Sequence, residues 1–169
     1  MSLDGKPRSL SIRQGADVWL GYHLERATVL KAWQAPKGKP GLIKSGFVTR
    51  STGVPWFQDA SDAGWKLRRG DTDVPLVVRY LGCSQRKDHI ELRWELSHDA
   101  GAVKLYERVP LAAATAVERV VRELRAEQLA PDETLIPPLP VREAWKITSE
   151  DGSSVAILRG MNWHRLTLP

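Results

Sequence analysis

The stretch LAAATAVERVVRELRAEQL, residues 111–129, decides how the rest of the chain is read. At helical spacing Leu111, Ala114, Val117, Val120, Val121 and Leu124 fall on one apolar stripe, while Arg119, Arg122, Glu123 and Glu127 mostly face away from it. Alanines fill the first turns, Pro110 suits the first helical position, and Pro131 supplies a stop. The pattern predicts one main helix over about 111–129. An amphipathic helix must lay its stripe on another layer, so the flanking segments have to supply a sheet.

Working outward, the upstream segments read as strands. Residues 88–97 alternate strictly, with Ile90, Leu92, Trp94 and Leu96 on one side and His89, Glu91, Arg93 and Glu95 on the other. Residues 103–109 follow after the turn His98-Asp99-Ala100-Gly101, and the apolar run 74–81 fits a central strand. Residues 9–13, 42–50 and 65–68 are further candidates. Residues 17–33 satisfy both periods: Trp19, Tyr22, Arg26, Val29, Leu30 and Trp33 make a helical face, yet Val18, Leu20, Tyr22 and Leu24 alternate as a strand. Gly21 and the pair Thr28-Val29 tilt the first half towards strand. Downstream, residues 130–140 hold four prolines and read as a stiff connector, and 141–168 read as a hairpin or meander turning at Asp151-Gly152. The expected fold is α+β in a single domain over 1–169. It has an antiparallel sheet of about five to seven strands, the 111–129 helix on one face, and a loose start over 1–8. Pairing between copies through a sheet edge is compatible with this pattern.

Composition narrows the class. A chain of 169 residues that is 42% hydrophobic and 27% charged has the content of a globular domain. Cys83 is the sole cysteine, so neither an internal disulfide nor a cysteine cage for a metal can form, which points to a reducing compartment such as the cytoplasm. Residues 1–8 lack the apolar run of a signal peptide, and the longest nearly apolar run, 111–117, is too short to cross a bilayer.

The net charge of +5 is local. The first hundred residues carry 16 Lys and Arg against 11 Asp and Glu, and the remainder carry 9 against 9. Residues 26–58 contain Arg26, Lys31, Lys37, Lys39, Lys44 and Arg50 without one acid, interleaved with Trp33, Phe47, Trp56 and Phe57. Cations neutralise phosphates and flat rings stack on unpaired bases, so this window is the expected contact for single-stranded nucleic acid, with an acidic protein face as the other partner it would suit. The candidate binding residues are Arg26, Lys31, Trp33, Lys37, Lys39, Lys44, Arg50 and Trp56.

Catalytic signatures are sparse. His89, Glu91 and Arg93 would project from one side of a strand, where an acid, a base and a cation could serve a small hydrolase. An alternating charged face is also what a half-buried antiparallel strand normally presents to water. No HExxH, CxxC, GxSxG, GxGxxG or phosphate-loop pattern is present, so no metal and no cofactor is expected. The reading is a non-enzymatic binding or assembly module.

Overall fold

The computed structural model describes residues 2–112 and 119–168. These residues form β1 (Ser9–Gln14), β2 (Val18–His23), β3 (Thr28–Gln34), β4 (Leu42–Ser45), β5 (Val48–Ser51), β6 (Val54–Gln58), β7 (Lys66–Arg69) and β8 (Thr72–Val74). Then follow β9 (Val77–Gln85), β10 (His89–His98), β11 (Gly101–Pro110), β12 (Val120–Glu127), β13 (Glu133–Ile136), the short helix α1 (Leu139–Ala144), β14 (Lys146–Thr148) and β15 (His164–Leu168). At 57% strand and 4% helix the fold is nearly all sheet. No helix among the described residues is long and apolar enough to cross a membrane.

Two sheets carry the architecture, one ordered β1-β2-β3-β6 and one ordered β14-β15-β12-β11-β10-β9; β13-β7-β8 and β4-β5 form smaller ones. The inner faces of the two large sheets share one core. Ile12, Leu20, Tyr22, Val29 and Phe57 come from the first, and Leu92, Trp94, Leu96, Leu105, Leu124 and Leu166 from the second. Polar groups join the sheets as well. Gln14 Nε2 donates to the carbonyls of Pro110 at 2.8 Å and Val121 at 2.9 Å, and the Gln14 side-chain oxygen accepts from Val121 N at 3.2 Å. Trp94 Nε1 donates to Leu24 O at 2.9 Å.

This is not the expected α+β arrangement with one main helix. Residues 120–127 are β12, and residues 113–118 of the predicted helix lie outside the described residues. Within β12 the inner side is Val120, Arg122, Leu124 and Ala126, and Glu123, Arg125 and Glu127 are half-exposed between them. This is period two, hidden because one inner position is an arginine. Arg122 is buried with its Nε 2.6 Å from Glu107 Oε1 and its Nη2 2.9 Å from Glu107 Oε2, and Tyr22 donates its hydroxyl to the same carboxylate. The guanidinium also lies 4.8 Å from the centre of the Trp145 ring. Burial works against the charge on Arg122, but the Glu107 carboxylate outweighs it and holds the guanidinium pKa above its ordinary value. Burial, followed by the nearby Glu107 charge, pushes the Tyr22 hydroxyl up. The Arg122–Glu107 ion pair, with the neutral Tyr22 hydroxyl donating to it, therefore sits in the interface of β2, β11 and β12. Helix propensity over residues 120–127 yields to these sheet contacts.

The ambiguity of residues 17–33 also has a physical cause. They form β2 and β3, and this hairpin is covered on both faces. Tyr22 and Val29 face the core, while Trp33 and Leu30 pack with Leu3 on the opposite side, against Trp19 and Leu42. A strand pair buried on both sides loses its alternation and reads as a continuous apolar run.

The outer cover is the feature that positions the candidate site. Leu3 is buried, and residues 2–4 run beside β5 with Thr49 N donating to Ser2 O and Asp4 N to Thr49 O, both at 2.8 Å. β4 and β5 form a ribbon in which Leu42 pairs with Ser51 and Ser45 with Val48. Residues 42–50, expected as one strand, thus fold back at Gly46-Phe47. Gly46 has φ +62°, the left-handed backbone that a two-residue Gly-X hairpin turn requires at its first position. In the stretch 130–140, β13 pairs with β7 through Leu135 and Leu67.

Candidate nucleic-acid interface

The structure divides the six cations of residues 26–58 into two groups. Arg26 is consumed internally: its Nη1 donates to Ser61 O at 2.9 Å, its Nη2 donates to Ala63 O, and Asp62 lies 3.7 Å away. Lys31 Nζ donates to Asp4 Oδ2 at 3.0 Å and to Ser51 Oγ at 2.6 Å. Burial raises the pKa of Asp4, but hydrogen bonds from Ser51 and Lys31 outweigh this and hold the carboxyl below its usual range. Asp4 therefore stays an anion and neutralises Lys31, an acid that lies outside the acid-free window in sequence and next to it in space.

Lys37, Lys39, Lys44 and Arg50 remain. All four are exposed, and their side chains make no hydrogen bond or ion pair among the described residues. Lys37 and Lys39 sit on a turn closed by Lys39 N donating to Pro36 O at 3.0 Å, and this turn is tied to the ribbon by Thr52 N donating to Gly41 O at 3.1 Å. Lys44 lies opposite Thr49 and Arg50 opposite Ile43, so the two cations occupy opposite faces of a ribbon only two strands wide. Phe47 stands at its tip, fully exposed, and Ile43 is exposed midway along.

The ribbon is braced at its base. Trp33 Nε1 donates to Gly41 O at 3.0 Å, and a side chain at Gly41 would run into the Trp19 indole. Gly53, just after β5, has φ +93°, and a Cβ there would meet the carbonyl of Gln34. Two glycines thus let the ribbon's ends approach the β2–β3 hairpin more closely than any other residue allows.

Of the two tryptophans expected as stacking platforms, neither stands fully exposed on the surface. Trp33 is buried, stacked on Trp19 with ring centres 6.1 Å apart. Trp56 is half-buried against the core, with the Arg119 guanidinium 5.3 Å from its ring centre. Sequence reasoning passed over two other rings. Phe47 was recognised only as one aromatic of the window, although the Gly46-Phe47 turn signal between two short strands places it at a tip. Trp19, half-exposed, lines a groove with Arg13, Lys39, Pro40 and Leu42 at the base of the ribbon.

His89, Glu91 and Arg93 do share one side of β10, as alternation requires. Their neighbours pair most of them off. His89 Nδ1 is 2.7 Å from Asp88, Glu91 lies 3.7 Å from Arg108 of β11, and Glu95 is held between Arg79 at 2.6 Å and Lys104. Farther across the sheet Arg108 and Arg125 cover the Trp163 ring at 4.1 and 4.8 Å. This surface is a cross-strand ladder of alternating charges. Among the described residues no group of three or more His, Cys, Asp or Glu is placed to hold a metal ion.

Comparison with known proteins adds no further constraint: no family model, no curated protein and no solved structure matches the chain.

Proposed function

We propose that the chain is a non-enzymatic binding or assembly module in which the turn at residues 36–41 and the β4–β5 ribbon contact nucleic acid. The observation that carries this reading is the set of four exposed cations without ion pairs among the described residues, Lys37 and Lys39 on the 36–41 turn and Lys44 and Arg50 on the braced ribbon beside it, which is tipped by an exposed phenylalanine. Phosphates would meet the cations, and Phe47 would stack on an unpaired base. Arg26, Lys31 and Trp33 take no part in the contact; Lys31 and Trp33 brace the ribbon, and Arg26 holds the loop at residues 61–63.

The test is fluorescence anisotropy with a labelled oligothymidylate at low salt. Four neutralised phosphates on a single strand give a log–log salt slope of about −3, or a loss of about 50-fold between about 50 and 200 mM salt. Reversing Lys37, Lys39 and Lys44 to Glu should weaken binding by about tenfold or more and flatten that slope. Reversing Arg86, Lys87 and Lys146, which are exposed elsewhere, changes the net charge equally and should cost less than about threefold. Phe47→Ala should cost about 1–3 kcal/mol and leave the slope unchanged. Equal losses from the two triple variants would reduce the effect to general attraction by a basic protein. Absence of low-salt binding would leave an acidic protein as the partner for this surface.

A further inference from the structure

The six-stranded sheet ends differently on its two sides. At one end β14 is only three residues long, and its own chain engages it: Val155 N donates to Ile147 O at 3.0 Å, and Thr148 bridges to Ser154. At the other end β9 runs for nine residues with β10 as its only strand partner among those described. A bare edge of that length is a template for another strand, and proteins commonly block such edges with proline, lysine or a bulge. Residues 77–85 contain no proline and no lysine. Their single cation, Arg79, folds back over the sheet onto Glu95 of β10, with Nε at 3.1 Å and Nη2 at 2.6 Å. The register does shift here: Gly82, whose φ is +133°, pairs with Arg93 and Tyr80 with Trp94, so Leu81 is the extra residue of a bulge and the pairing-competent part of the edge ends there.

That segment, Val77-Val78-Arg79-Tyr80-Leu81, is complementary to itself. Run antiparallel to a second copy about a two-fold axis at Arg79, it places Val77 opposite Leu81 and Val78 opposite Tyr80, twice each. Val77 and Leu81 are 71% and 41% exposed, so both offer apolar surface that the described residues leave uncovered. On the other side of the strand Val78 and Tyr80 line a groove with Leu24, rimmed by Arg8, Ser9 and Glu25. The one like-charge meeting, Arg79 with its copy, falls where each guanidinium already faces a Glu95 carboxylate. We infer that β9 is a homodimer interface, pairing residues 77–81 with the same residues of a second copy and joining the two six-stranded sheets edge to edge.

The inference is independent of the nucleic-acid reading, since β9 holds none of the ribbon's residues. Sedimentation velocity under reducing conditions, from about 5 to 100 µM, should show a concentration-dependent dimer. Val77→Lys with Leu81→Lys sets like charges opposite each other at both ends and should raise the dimer dissociation constant by about a hundredfold or more, with the monomer's melting unchanged. Register is read by cross-linking in a Cys83→Ser background. Arg79→Cys faces its own copy with Cα atoms about 4.5–5.5 Å apart, within disulfide reach, and should oxidise to a covalent dimer. Val77→Cys is displaced from its copy by four residues, about 14 Å along the strand, and should not. A monomer at the highest concentration overturns the inference, and so does a dimer that survives the two lysines or cross-links through Val77→Cys and not Arg79→Cys.

Discussion

Replacing Glu107 with leucine is the sharpest test of how the two large sheets are held together. Both the Glu107 and Arg122 side chains are essentially inaccessible, at 0% and 1% exposure. The substitution leaves the Arg122 guanidinium charged in the core without its two hydrogen bonds, and the Tyr22 hydroxyl without its acceptor. Breaking a buried pair in this way costs about 3–5 kcal/mol, and an unsatisfied hydroxyl adds about 1 kcal/mol or more. A loss of about 4–6 kcal/mol is most of the total for a domain whose stability lies in the ordinary range of about 5–15 kcal/mol. In urea, with a slope of about 2 kcal/mol per molar, the unfolding midpoint should fall by about 2–3 M. The partner substitution Arg122→Met strands a carboxylate instead and should cost a comparable amount. The double substitution removes both charges together and should recover to within about 1–2 kcal/mol of the parent protein, because a buried ion pair contributes little net stability over an apolar pair of similar volume. A midpoint shift below about 0.5 M for Glu107→Leu, or a double variant as unstable as the sum of the singles, would refute the reasoning.

Two further outcomes follow from the geometry. Gly53→Ala should cost about 2–4 kcal/mol in urea unfolding, since it joins a left-handed backbone to a collision with the Gln34 carbonyl. Gly38→Ala, also left-handed at φ +71° but with open space around it, should cost about 1 kcal/mol, and equal costs would mean the base of the ribbon is not closely packed. Burial lowers the His164 and His23 pKa values, aided at His23 by Arg26, so the unfolded chain binds more protons just below about pH 6.5. The stability contributed by these neutral histidines is present above that pH and lost as pH falls towards their folded values. The urea midpoint should therefore drop between about pH 7 and pH 5, and His164→Gln should flatten part of that drop.

What could be read in advance follows from how many faces each strand buries. β10 and β11 bury one face and expose the other, so their alternation was plain in the sequence, together with the turn at residues 98–101 between them. β2 and β3 bury both faces and lost that signal. β12 concealed its period because Arg122, a polar residue by type, occupies a core position that only Glu107 and Tyr22, fifteen and a hundred residues away, make tolerable. Val120, Val121 and Leu124 then happen to fit a helical stripe. The candidate interface was legible in part. The local excess of cations was visible, and four of the six remain exposed and free of ion pairs. The neutralisation of Lys31 by Asp4 and the capture of Arg26 by the carbonyls of Ser61 and Ala63 depend on contacts across 27 to 37 positions, which charge counting along the chain does not reveal.

The strand order β14-β15-β12 has a consequence for the time course of folding. β15 comes last in the sequence yet lies inside the sheet, antiparallel to β14 on one side and β12 on the other. The strands of the four-stranded sheet are complete by Gln58, but its inner face must wait for Trp94, Leu105 and Leu124 to arrive. At about 5–20 residues per second, synthesis from there to β12 takes roughly 3–13 seconds. During that interval the apolar face of the early sheet is open to chaperones and to other nascent chains, and only the emergence of residues 164–168 closes the gap between β12 and β14. So many distant pairings place this domain among slow folders. A nascent chain stalled before His164 would display two unfilled strand edges at once, a direct invitation to misassembly.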